Sequence, residues 1–138
     1  MIDFTSDFGA RAKRRLIEDQ VVWLTTVDIH SKPQPRPVWF LWDVESLLVY
    51  SRPQAHKVRH IETNPHVSLN FNSDHYGGDI VVLLGEAHIA ETPITADLIA
   101  RYVEKYSQGM EDLSLTPADF SNTYSVAIKI IPTSLRGH

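Results

Sequence analysis

The sequence predicts a mainly β protein, a six-stranded antiparallel barrel with short helices set between its hairpins. β-branched and aromatic runs with strand-like alternation recur from Val21 to the C-terminal region. Turn residues separate them at short intervals, as in hairpins. No regular β-α-β alternation is visible, which argues against a doubly wound parallel sheet. At 138 residues and 43% hydrophobic content the chain can bury one core, so a single domain over 1–138 is expected.

Ser6 or Asp7 can cap a first helix from about Phe8 to Asp19, with Leu16 and Ile17 inward and Arg11, Lys13, Arg14 and Arg15 on a solvated face. Val21 to Val27 reads as a strand, Asp28 to Pro33 as a polar turn, and Arg36 to Trp42 as its hairpin partner. That second strand is apolar on both faces, Val38, Phe40 and Trp42 on one and Pro37, Trp39 and Leu41 on the other. One face should look into the core and the other should meet a partner surface. Leu47 to Ser51 is the third strand, stopped by Pro53. Gln54 to Thr63 is helical, with Val58 and Ile61 buried, and Asn64-Pro65 ends it because the residue before proline is pushed out of the α region. His66 to Phe71 is the fourth strand. After a polar loop, Asp79 to Glu91 is the fifth, with Gly85 marking a bulge or bend. Thr92-Pro93 or Thr95 opens a helix whose Leu98, Ile99, Tyr102, Val103 and Tyr106 form a core stripe. Thr116, Pro117 and Asp119 make a capping box for a short helix to about Asn122, and Tyr124 to Pro132 returns as the sixth strand.

Composition removes several classes of function. With no cysteine there is no disulfide, iron-sulfur ligation or thiolate nucleophile. A formal charge of −4 argues against general nucleic-acid binding. No run approaches the roughly 20 apolar residues of a membrane helix and no signal pattern opens the chain, so a cytoplasmic protein is expected. No G-x-S-x-G, G-x-G-x-x-G or Walker loop is present. His56 and His60 stand four apart on one helix, but without an intervening glutamate they read as solvent-facing, and no metal site is expected.

The chemistry concentrates in QPRPVWFLW (34–42) and LLVYSRPQAHKVRHIETNPHVSLNF (47–71). These strings place Arg36, Ser51, Arg52 and Lys57 where an anion could be gripped, since arginine forks onto phosphate oxygens and a lysine at a helix start adds charge to free backbone N–H groups. An arginine heading one strand, an aromatic-hydroxyl pair closing the next (Tyr50, Ser51), Lys57 six residues on and an Asn64-Pro65 turn together resemble the FMN-binding split-barrel family of pyridoxamine 5'-phosphate oxidase. WLTTVD (23–28), PVWF (37–40) and YSRPQAHK (50–57) look like its branch of coenzyme F-420 (deazaflavin)-dependent reductases. The resemblance covers about Phe8 to the C-terminus. It implies a split barrel working as a homodimer, with cofactor sites at the interface and hydride transfer to a small unsaturated substrate, no side chain being an obligatory acid or base.

By the same resemblance Arg36, Ser51, Arg52 and Lys57 hold the cofactor phosphate, and Tyr50 closes the strand beside them. The backbone of Val38 and Trp39 faces the ring edge, Trp39 or Tyr76 covers its apolar surface, and Gly78 lies in the loop a second subunit brings. Lys13, Arg14, Arg15 and Arg52 could receive the acidic tail of F-420 if the first helix borders the groove. Family members keep a glycine where this chain has Ser31, a turn position that leaves the site intact. The alternatives are FMN as cofactor, a haem-binding barrel with His75 as its axial candidate, and a non-catalytic cofactor carrier.

Overall fold

The computed structural model describes residues 2–91 and 94–138. Its elements are α1 (Asp7–Glu18), β1 (Val22–Val27), β2 (Pro33–Val38), β3 (Leu41–Asp43), β4 (Ser46–Ser51), α2 (His56–Thr63), β5 (His66–Asn70), β6 (Val81–Ile89), α3 (Ala96–Asp112), α4 (Pro117–Thr123) and β7 (Val126–Gly137). The strands form one sheet in the order β2-β1-β5-β6-β7-β4-β3, antiparallel throughout. Its two outermost strands, β2 and β3, are consecutive in the chain and separated by only Trp39 and Phe40. The sheet therefore curls on itself into a split barrel.

The strand count is seven rather than six, because the run Arg36 to Trp42 is broken at Trp39 and Phe40. The break is hydrogen-bonded from α3. Tyr106 Oη accepts from the Phe40 N–H at 2.7 Å and lies 2.8 Å from the carbonyls of both Gln20 and Phe40. Lys105 Nζ donates to the Phe40 carbonyl at 2.8 Å. One hydroxyl hydrogen serves one carbonyl, so the account closes with Tyr106 donating to Gln20 and Lys105 to Phe40.

The two faces of the broken strand are covered within the chain. Val38, Phe40 and Trp42 enter the barrel core with Leu16, Leu24, Leu69 and Ile128. On the other side Leu41 and Trp39 join Tyr102, Tyr106, Met110 and Phe120 in a second core, so α3 and α4 supply the surface expected of a partner. Trp39 stacks on Tyr106 with centroids 4.4 Å apart.

Several local expectations hold. Ser6 Oγ accepts from the Gly9 N–H and caps α1, Thr95 caps α3, and Thr116 with Asp119 forms the capping box of α4. The alternative start at Thr92-Pro93 lies outside the described residues. The register shifts between Leu84 and Gly85, where a side chain at Gly85 would come within 2.6 Å of the Ile131 carbonyl. Ser31 has φ 63, the left-handed region where glycine is favoured. The basic face of α1 is not wholly solvated. Arg15 pairs with Asp19 at 2.8 Å and with Asp79 at 3.1 Å, and Arg11 pairs with Asp79 at 3.1 Å.

Burial pulls the Lys105 ammonium down to about 8, with Asp19 opposing. The folded chain therefore gives up this proton before the unfolded chain does, and the contribution to stability rises with pH from about 8 toward the ordinary lysine range. Burial raises Tyr102 and Tyr106, so their contribution is lost above about pH 10, where unfolded phenols ionise. Lys105→Met should flatten the dependence of melting temperature on pH between about 8 and 10 and leave the fall above about pH 10 in place. An unchanged profile would assign the rise to other groups.

Candidate functional site

The register Leu24↔Arg36 and Thr26↔Gln34 puts Leu24, Thr26 and Asp28 on one face of the β1–β2 ribbon with Gln34 and Arg36. α2 lies across that face, anchored by buried Val58 and Ile61, and brings Lys57 and His60 to the same side. Between them is a groove of about 480 Å3 lined by these residues with Ala55 and His56. The α2 N-cap is Ala55, which offers no side-chain acceptor; the Val58 N–H donates to the Ala55 carbonyl at 3.1 Å, and the His56 and Lys57 N–H groups receive no side-chain cap.

Arg36 and Lys57 have no carboxylate partner among the described residues. Arg36 Nη1 donates only to the Pro35 carbonyl, at 3.1 Å. Burial, and then the Arg36 guanidinium, pull Lys57 below the usual lysine range. Two cations held together without a counter-ion make a site short of negative charge. Asp28 lines the groove as well, but its oxygens accept from the backbone N–H groups of Lys32 and His30 and from the Gln34 amide. The Lys32 bond is the largest cause holding that carboxyl below its ordinary range.

Lys57 also lines a second groove, of about 270 Å3, with Pro37, Val38, Trp39, Tyr50, Tyr102, Phe120 and Tyr124. The cationic and aromatic spaces thus meet at one side chain. Four of these aromatics, Tyr50, Tyr102, Phe120 and Tyr124, border a further recess of about 470 Å3 whose other walls include Ile89, Ile99 and Val126. Tyr50 Oη is buried with no hydrogen-bond partner among the described residues, and desolvation raises its pKa, so the phenol keeps its proton as a donor. A polar atom left without a partner beside an open groove is where a ligand acceptor fits.

The structure therefore brings together Arg36, Val38, Trp39, Tyr50 and Lys57. Arg52 stands beside them, its guanidinium 5.4 Å from the Tyr124 ring centroid. Ser51 does not join the clamp: it is buried, and its hydroxyl donates to the Arg52 carbonyl. Gly78 sits in the loop after β5, its N–H donating to Asp74 Oδ1 at 2.7 Å, and lines none of these grooves. Tyr76, 93% exposed, and His75 share that loop. No α1 residue lines the grooves, so Lys13, Arg14 and Arg15 are not placed for a ligand tail there. Reasoning from sequence missed His60, which lies in the cationic groove with Nδ1 2.8 Å from Thr26 Oγ1. Its spacing of three from Lys57 was the available signal. Among the described residues no group of three or more metal-ligating side chains occurs, and no helix is long and apolar enough to cross a membrane.

Among curated proteins none matches the chain. Solved structures of the same fold include a Listeria innocua protein assigned by name to pyridoxamine 5'-phosphate oxidase, at 26% identity and TM-score 0.67, covering 92% of this chain and 91% of that one. A structure named F-420 reductase is 21% identical with TM-score 0.69, over 90% of this chain and 94% of that one. The haem storage protein HutZ of Vibrio cholerae is 18% identical with TM-score 0.69, over 97% and 94%. At such identities the last two show the fold alone. The family pattern described as "Pyridoxamine 5'-phosphate oxidase" matches residues 8–136, and with its split barrel and paired grooves the chain belongs to that family.

Proposed function

We propose that this chain is an oxidoreductase that binds coenzyme F-420 and transfers a hydride from its reduced form to a small unsaturated organic substrate. The carrying observation is Lys57, which joins a groove holding two unpaired cations to one lined by aromatic rings. A phosphorylated, planar, ring-bearing cofactor has that same division. Arg36 and Lys57 would hold its phosphate, the walls of Val38 and Trp39 would border the ring, and the Tyr50 hydroxyl would donate to a ring acceptor. The cofactor, when bound, supplies the hydride chemistry. Tyr50, Tyr102 and Tyr106 are all raised by burial and remain neutral near pH 7, so none is poised as a base and a proton can come from solvent.

The WLTTVD, PVWF and YSRPQAHK strings support F-420 over FMN. The aromatic groove is open on one side. A homodimer whose second copy closes it is part of the proposal. Side-by-side titration of the apo chain with F-420 and FMN at low and moderate salt tests the assignment, with F-420 expected to bind more tightly and to show the steeper salt dependence. Light scattering on the same sample should give twice the chain mass. Tight FMN binding with no measurable F-420 affinity would transfer the reading to an FMN enzyme. A clean monomer with bound cofactor would remove the shared site.

A further inference from the structure

We propose that His60, oriented by Thr26, receives a second anionic group of the ligand, beyond the one held by Arg36 and Lys57. This rests on the reading that the groove holds the cofactor's phosphate. Thr26 is buried, 2% exposed, and His60 Nδ1 is the one partner of its hydroxyl among the described residues, at 2.8 Å. The bond fits either direction: where the hydroxyl donates to Nδ1 the imidazole proton stands on Nε2, and that is the tautomer proposed. In that tautomer Nε2–H is the donor left for a ligand.

A histidine bonded to a buried threonine is ordinarily a satisfied core group. His60 is instead half-buried and lines the same groove as Arg36 and Lys57, with the His56 ring 6.4 Å away. The groove encloses about 480 Å3, space for a ligand larger than one phosphate. Thr26 lies two residues beyond Leu24, the register partner of Arg36, and so roughly 7 Å further along the ribbon. His60, held by Thr26, is thus offset from the pair Arg36–Lys57 along a single groove. Asp28, already bonded to three donors, marks the far end and disfavours a third anion. Two anionic groups in sequence could come from a diphosphate, as in a dinucleotide cofactor, or from a phosphate followed by carboxylates, as in the tail of F-420.

The test titrates the full chain with inorganic phosphate and with pyrophosphate, in wild type, His60→Leu, His60→Gln and Thr26→Val, with a melting curve for each variant. His60→Leu should weaken pyrophosphate about tenfold, roughly 1.4 kcal/mol, and change phosphate less than twofold. His60→Gln, which keeps a donor and guards against a folding defect, should retain most of the affinity. Thr26→Val, which frees the ring, should fall between them. FMN, FAD and F-420 then name the source: FMN should be indifferent to His60→Leu, while FAD or F-420 loses the same tenfold. Equal loss on phosphate and pyrophosphate, or none on either, overturns the inference, as does a His60→Leu variant that binds both FAD and F-420 like wild type. Absence of phosphate binding in wild type would instead remove the clamp on which the inference stands.

Discussion

Tyr106→Phe should lower the stability of the fold by about 2–4 kcal/mol, although it deletes one oxygen atom. Phe40 is fully buried, and its N–H has the Tyr106 hydroxyl as acceptor, at 2.7 Å. Without that oxygen the N–H is stranded where water cannot reach it, and the Gln20 carbonyl loses its donor as well. The phenyl ring stays, so the stack on Trp39 and the wall of the aromatic groove survive. The expected signature is a fall in melting temperature of roughly 10 °C, with tryptophan fluorescence of the native state little altered. Tyr102→Phe is the internal control, since that hydroxyl makes no hydrogen bond among the described residues, and its effect should be small. Equal melting temperatures for the two variants would show that the Tyr106 hydroxyl does not hold the break between β2 and β3, leaving Lys105 and packing to do so.

Lys57→Ala should weaken cofactor binding about tenfold or more, because a charge-assisted contact carries on the order of 1.5–3 kcal/mol. Arg36→Ala should do the same. The double variant should lose less than the sum, since the two cations already repel each other and share one anion. The apo melting temperature should hold or rise. Burial and Arg36 both disfavour the Lys57 charge, so removing it relieves the empty site. Fluorescence titration and thermal melting on the same samples check both halves. Loss of fold and binding together would make Lys57 structural, and unchanged affinity would discard the clamp.

What was legible in the sequence was what neighbouring residues decide. Ser6, Thr116 with Asp119, Asn64-Pro65 and Gly85 each act through a cap, a steric restriction or a close approach within or beside their own element, and the structure has them in those roles. What was hidden depends on residues far along the chain. The apolar run Arg36 to Trp42 carries no sign of a break, because the groups that satisfy Phe40 come from Lys105 and Tyr106, 65 and 66 residues later. Its second apolar face suggested another subunit, whereas α3 and α4 fold back over it. Arg15 looked like solvated surface until Asp79 met it across 64 residues. At the site, Arg36, Tyr50 and Lys57 came from short strings that resemble the family pattern, and they line the grooves described. His60 needed Thr26, and Ser51 turned inward to a neighbouring carbonyl.

The position of β7 has a bearing on how the molecule comes into being during translation. β7 alone hydrogen-bonds both β6 and β4, joining the four-stranded unit β2-β1-β5-β6 to the hairpin β3-β4, and it follows every other strand in chain order. Until it has emerged from the ribosome, β6 and β4 each carry an open edge, and the nascent chain is two partial sheets tethered through Trp39 and Phe40 and through the segment of α2 between β4 and β5. Tyr50 belongs to one of those pieces and Arg36 to the other. The cationic groove of β1, β2 and α2 needs no residue of β7, but its junction with the aromatic groove around Tyr50 is complete only once the seam has closed.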